Sequence, residues 1–261
     1  MGKLIAVVLT VLACPALAGV TPPPGIDVYV LGEVHDNPAH HAEQARLTAL
    51  IVPKTVVWEM LTPEQAEDIR DVDRADLAAM AVALDWENAG WPDFAMYHPI
   101  FVAAGEAEHL GATVPRADLR EAIEEGAEAA LGSKAKGWPM GPLDPAVQEA
   151  REEEQRIAHC SALPEAMLAG MVEAQRMRDW SLAQLAVAAI EAGDGPVVII
   201  TGSGHARRDW GVPALIAAAH PGLKVWSLGQ SEGLPEADAP YDAVETAPAP
   251  ARDDPCRAFS G

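Results

Sequence analysis

Positive charge is scarce in this chain of 261 residues. Its 18 Lys and Arg stand against 39 Asp and Glu, for a formal net charge of −21. A surface that negative repels phosphate backbones and anionic lipid, so nucleic acid is set aside as a partner. The same charge favours solubility. Aromatic residues are also few, at 5%, although seven of them are tryptophan. HExxH does not occur, so the familiar zinc-peptidase route lacks its sequence support. No internal repeat of fixed period runs through the chain.

Cysteine is limited to three positions, and the first lies in "MGKLIAVVLTVLACPALA". That opening reads as an export signal, residues 1–18. Lys3 supplies the positive start, and Leu4 to Ala13 is an apolar run too short to span a bilayer. Ala16-Leu17-Ala18 offers a cleavage site before Gly19, and lipid attachment at Cys14 is the competing reading. Both place the mature protein outside the cytoplasm, in a bacterial periplasm, free or lipid-anchored. No other segment has the length and apolarity of a membrane span. Cys160 and Cys256 remain. In an oxidising compartment they either pair, tying the C-terminal tail to the helical region, or stay as free thiols.

The chain is 49% hydrophobic, which supports a sizeable core in one domain of ordinary size. Ile26 to Leu31, "IDVYVL", and Thr55 to Met60, "TVVWEM", read as strands. Asp36-Asn37-Pro38 opens a helix running to about Leu50, and Thr62 to Gln65 forms a capping box with proline in the first helical position. The middle reads as helical over Ala75–Leu84, Tyr97–Leu110, Ala117–Leu131, Pro145–His159 and Pro164–Glu191, with "ATVPR" (Ala112 to Arg116) as a strand among them. Strands return at Pro196–Gly202 and Leu223–Gly229, with a short helix, Pro213–Ala219, between. An edge strand is expected at Tyr241–Val244. The pattern predicts an α/β domain over residues 26–229: a mostly parallel sheet flanked by helices, a helical subdomain inserted at about 77–191, and an Ala/Pro/Asp-rich tail over 230–261.

Ligands of open parallel sheets bind beyond the carboxyl ends of the strands. Glu33, His35 and Asp36 follow the first strand, Glu59 ends the second, and Ser203 and His205 follow the strand Val197–Thr201. Two histidines and two carboxylates from three distant segments thus share one rim. His35 lies in Gly32-Glu33-Val34-His35 and His205 in Gly202-Ser203-Gly204-His205. Each is Gly-x-x-His directly after a strand, where glycine permits a sharp exit and close backbone approach. A carboxylate at Glu59, inside the apolar "VVWEML", is costly to bury without a partner. His40, His41 and Gln44 follow on a helix, either as a solvated face or as an extension of the site. On the long helix, Gln175, Arg178 and Asp179 can close over the rim.

Taken together, "GEVHDNPAHHAEQ", "WEM", "AQRMRDWSLA" and "TGSGHARRDWGVP" resemble the ChaN-like family. It is a branch of the superfamily that includes TraB, Tiki and erythromycin-esterase-like proteins. The resemblance runs in family order from about Ile26 to Gly229. It implies a sheet with a helical lid, export as a lipoprotein or periplasmic protein, haem binding linked to iron uptake, an outer-membrane haem receptor as partner, and it permits a haem-bridged homodimer. In the wider superfamily the Gly-x-x-His pair and the glutamate correspond to hydrolytic sites, with metal in the Tiki branch; these positions are His35, His205 and Glu59 here. Arg178 matches the helical polar residue. The family attributes haem ligation to tyrosine, and of Tyr29, Tyr97 and Tyr241, Tyr97 beside His98 is best placed.

Two functions follow. As a haem protein, the chain needs an apolar slot and an axial ligand; Trp86, Trp91, Phe94, Met96, Tyr97 and Phe101 are the aromatic and apolar candidates for the slot. Tyr97, His98 and Arg178 are the candidate haem-binding residues. As a hydrolase, His35, Glu59 and His205 would hold a divalent metal. Without metal, one histidine would act as general base, oriented by Glu33 or Glu59, with Asp179 completing either arrangement.

Overall fold

The computed structural model describes residues 19–234, 238–254 and 256–257. The expected leader, with Cys14, lies outside them. The Val- and Leu-rich run becomes β1 (Val28–Glu33), buried at every position. Next comes α1 (Pro38–Ile51), where the Asn37 side chain accepts the Ala39 N–H and Pro38 sets the first turn. β2 (Thr55–Trp58) leads into α2 (Pro63–Asp68), opened by the expected reciprocal capping box of Thr62 and Gln65.

Three helices follow, α3 (Leu77–Ala83), α4 (Trp86–Ala89) and α5 (Phe94–Ala103). The expected helix Tyr97–Leu110 is corrected here. It ends at Ala103, Gly105 turns the chain at φ 58°, and Glu108–Gly111 forms β3 beside β2. "ATVPR" is accordingly a connection and not the strand. The expected helix Ala117–Leu131 breaks at Gly126, giving α6 (Arg116–Glu125) and α7 (Ala127–Leu131). Then come α8 (Pro145–Ala158), the long α9 (Glu165–Ala192), β4 (Val197–Gly202), α10 (Val212–Ala219), β5 (Val225–Glu232) and β6 (Ala243–Ala247). The tail strand therefore starts two residues later than expected, at the sheet edge beside β5.

The six strands pair in the order β3-β2-β4-β1-β5-β6, all parallel. Both faces are covered, as parallel sheets require. Val28, Val30, Val57, Val197 and Ile199 pack with residues of α9 and α10. Their neighbours Tyr29, Leu31, Val56, Trp58, Val198 and Ile200 point the other way, toward α1 and α5. Trp58 stacks on Phe101 at 4.1 Å between centroids, and its indole N–H donates to His109 Nδ1 at 2.8 Å. Burial lowers the His109 pKa to about 3, so the ring stays neutral and can accept.

This strand order determines where a ligand can sit. From β1 the chain leads through α1 to β2 on one side. From β4 it leads through α10 to β5 on the other side. The two strands are neighbours, so their carboxyl ends diverge and leave a crevice. Cys160, just past α8, is disulfide-bonded to Cys256 in the tail. Among the described residues no helix is long and apolar enough to cross a membrane.

Gly111, the last residue of β3, has no room for a side chain: a Cβ there would collide with the backbone of Thr62. Gly111→Ala is therefore expected to lower the unfolding free energy by about 3 kcal/mol. Urea denaturation reads this directly, and a wild-type midpoint would show that β3 and the Thr62 segment separate freely.

Candidate functional site

The crevice opens into a cleft of about 780 Å³. Its floor is the ends of β1, β2 and β4, and its walls are Trp91, the end of α8 and one face of α9. Two glycines bring the floor together. A Cβ on Gly202 would stand 3.0 Å from His35 Nε2, and one on Gly32 would meet the Ser203 Cα at 2.8 Å. Neither glycine is left-handed, so what each supplies is close approach.

Two imidazole–carboxylate pairs face each other across this floor. His35 Nδ1 lies 2.8 Å from Glu33 Oε1, and His205 Nδ1 lies 2.6 Å from Asp179 Oδ1. Their free Nε2 atoms both turn toward Glu59. Its Oε1 is 3.5 Å from His205 and 3.9 Å from His35. Its Oε2 accepts the Thr201 hydroxyl at 2.7 Å and the Gly202 N–H at 2.8 Å. Each carboxylate also has outer partners. Arg151 Nη2 reaches Asp179 Oδ2 at 3.3 Å, and His41 Nδ1 sits 3.0 Å from Glu33 Oε2.

The electrostatics follow from that order. Burial alone would neutralise all of these groups. Against it, the positive rings of His205 and His35 hold the Glu59 carboxyl far below the usual range. Glu33 is likewise lowered against its burial, by His35 and His41. Burial also disfavours charge on His205, but Glu59 and Asp179 overcome it and push the ring up to about 10. His35 is raised in the same way, by Glu59 and then Glu33. At neutral pH the arrangement therefore holds the Glu59 carboxylate beside a protonated His205, the form that gives a proton, while His35 is drawn in the same direction. The expected general-base role does not suit His205 in that state.

The expected site residues do not all meet. Glu33, His35, Glu59, Asp179 and His205 converge. Arg178 lines the cleft, with Nη1 donating to Gln175 Oε1 at 3.0 Å. Tyr97 does not open into it. Its side chain is fully buried, and the hydroxyl lies 3.2 Å from both Glu33 Oε1 and the His35 carbonyl. Burial and the Glu33 charge push that phenol far up, so a tyrosinate is disfavoured. His98 points away, with Nε2 on the Arg74 carbonyl at 2.8 Å.

The metal set His35, Glu59 and His205 is not supported either. Among the described residues no group of three or more His, Cys, Asp or Glu is placed to hold a metal ion. Glu59 spends one oxygen on Thr201 and Gly202, and His205 is held in the protonated form, which has no lone pair to give.

His40 and His41 are buried and do not form a solvated face. His40 Nδ1 accepts the Val34 N–H at 2.9 Å, and His41 Nε2 donates to the His35 carbonyl at 2.8 Å. They brace the turn that carries His35. Thr201, Arg151, Met171 and His159 were not anticipated. The apolar strand concealed Thr201, and Arg151 and Met171 lie on helices, with His159 just past one, whose charged and apolar positions carry no spacing signal.

His205 is charged in the fold up to about pH 10, whereas an unfolded histidine loses its proton near ~6.5. Its stabilisation is thus complete below about pH 6.5 and lost as pH rises toward 10. Unfolding free energy from urea titrations should fall between about pH 6.5 and 9.5, and Asp179→Asn should flatten that slope. A level wild-type profile would show that His205 binds no extra proton on folding.

The model of the family described as haem-binding uptake, Tiki superfamily, ChaN, matches residues 25–216. A solved structure of cofacial heme binding to ChaN of Campylobacter jejuni shares the fold. It has a TM-score of 0.64 and 21% identity, covering 84% of this chain and 86% of that one. An erythromycin esterase mutant, EreC, in its open conformation, aligns more loosely, with a TM-score of 0.45 and 12% identity over 84% of this chain and 75% of that one. No curated protein matches. With its sheet order, its strand-end cleft and a family match over most of its length, the chain belongs to the ChaN family of haem-binding uptake proteins in the Tiki superfamily.

Proposed function

We propose that this is an exported haem-binding protein of iron uptake that takes haem into the strand-end cleft, with His35 as axial ligand. One observation carries the reading. His35 has its Nδ1 fixed by Glu33, lines the cleft, and keeps a third of its side chain (33%) exposed. A carboxylate on one ring nitrogen orients an imidazole and raises the basicity of the other, the arrangement metal-bound histidines use. Iron must displace the Nε2 proton, so binding strengthens as pH rises. Trp91, 4.9 Å from the His35 ring, and Met171 supply apolar walls for a porphyrin. Tyr97, the tyrosine best placed by family resemblance, does not open into the cleft. Tyr97 is sealed behind Glu33, and Tyr29 bonds the Pro23 carbonyl, away from the strand-end rim. Two copies meeting over their clefts would suit the cofacial haem pair described for the Campylobacter jejuni protein.

A second reading rests on the pair His205–Asp179 with Glu59 anionic beside it. A protonated imidazole and a fixed carboxylate can serve acid-assisted hydrolysis of an ester or amide.

Haemin titration separates the two. The haem reading expects saturable growth of a Soret band, weakened at least about tenfold and shifted in position by His35→Ala, and unchanged by Tyr97→Phe. Linear uptake by all variants would sink it, and turnover of ester or amide substrates that disappears in His205→Ala would then favour the hydrolytic reading.

Export is supported by the leader and by the Cys160–Cys256 bond, since such bonds persist in oxidising compartments. Intact-mass analysis of the natively expressed protein should give a mature chain beginning at Gly19. A lipid-modified Cys14 would replace the free periplasmic form by an anchored one, and an uncleaved chain would end the export proposal.

A further inference from the structure

The cleft has an annexe. A pocket of about 250 Å³ opens off it past Glu59, Trp91 and Arg178, and runs between the connection after β3 and the side of α9. Its walls are mainly apolar, with Ala112, Val114, Leu119 and Leu182. Two guanidinium groups line it, Arg178 and Arg116.

Those two are unusual for this chain. Acidic residues outnumber basic ones by more than two to one, and most arginines are paired. Arg46, Arg70, Arg156, Arg176, Arg207 and Arg252 each contact a carboxylate. Among the described residues, no carboxylate lies within ion-pair distance of Arg178 or Arg116. Arg178 has one hydrogen-bond partner, the neutral amide of Gln175 at 3.0 Å. It is partly buried, and Glu59 and Asp179 attract it across the cleft without touching it, so burial still disfavours its charge. The acidic surface repels anionic ligands at long range. Any carboxylate that enters must therefore be held by local positive charge.

We infer that the annexe is a carboxylate subsite: Arg178, from α9, and Arg116, from the start of α6, bind an acidic arm borne on an apolar ligand body. Guanidinium is the side chain best suited to this, because its planar fork matches the two carboxylate oxygens. Glu59 at the mouth repels an anion, so the arm seats past it, against the arginines and the apolar wall. The inference deepens the haem reading and rests on it. It assigns the propionate class of carboxylate to this pocket, while the ring system occupies the main cleft.

The test compares haemin with haemin dimethyl ester, in which both carboxylates are masked, under the same detergent conditions. Wild type should bind haemin at least about tenfold more tightly. In Arg178→Gln and in Arg116→Gln the difference should shrink to about threefold or less, through loss of haemin affinity with the ester unchanged. Arg116 is exposed, so its variant is expected to fold, and thermal melts of both variants check this. If Arg178 merely offsets the Glu59 charge, its variant weakens both ligands alike, and the subsite is overturned. Equal affinity of wild type for the two ligands overturns it while leaving haem binding intact. No saturable binding of either removes the haem reading and this inference together.

Discussion

The Glu59 carboxylate is the centre on which the site depends. It stands at the end of a buried strand, where an isolated anion would be untenable. Two imidazoles on different strands, one hydroxyl and one backbone N–H make it tolerable. Glu33 and Asp179 hold the far sides of those imidazoles and favour their charged forms. Asp179 in turn leans on Arg151 of α8, and Glu33 on His41 of α1. The charge balance thus runs from a helix on one face of the sheet to a helix on the other. Removing any member leaves a buried charge unmatched, and that is more costly than the worth of any single contact.

The sheet order makes this network possible. Only at neighbouring strands whose crossovers leave in opposite directions do backbone ends stay uncovered. β1 and β4 are that pair, and both Gly-x-x-His segments leave from them. Glycine at positions 32 and 202 lets the two exits touch, with no side chain holding the rings apart. α9 then crosses beside the crevice with two adjacent residues facing different tasks. Asp179 is buried against His205, and Arg178 is turned to the cleft and its annexe.

Much of this was legible in the residues. Buried-type strands, the Asn37 and Thr62 caps and the pair of Gly-x-x-His exits all have local causes, and each is found where the local chemistry puts it. The rim of Glu33, His35, Glu59 and His205 followed from strand ends alone. The failures share a different cause. β3 falls at the end of a predicted helix, Tyr97–Leu110; pairing with β2 decides it, and pairing is not local. Tyr97 looked available because it follows a helix start, yet tertiary packing seals it behind Glu33. His40 and His41 allow both a solvated face and an extension of the site in the sequence, and packing buries them. A buried polar group and an exposed one have the same letters, and only the packing around them tells them apart.

The disulfide between Cys160 and Cys256 joins positions 96 residues apart. Within the span it closes lie α9, β4, α10, β5 and β6, among them the helix and the strand that carry Asp179, Arg178 and His205. The tail returns along the outside and places Arg252 at the cleft, bonded to Asp36 and Glu232. Residues 160–256 are in this sense a covalent ring. A protease that cuts one exposed turn within it, where nicking concentrates, leaves two pieces that still travel as one molecule. Durability against digestion is thus built into the connectivity of the chain, independently of how tightly its core is packed.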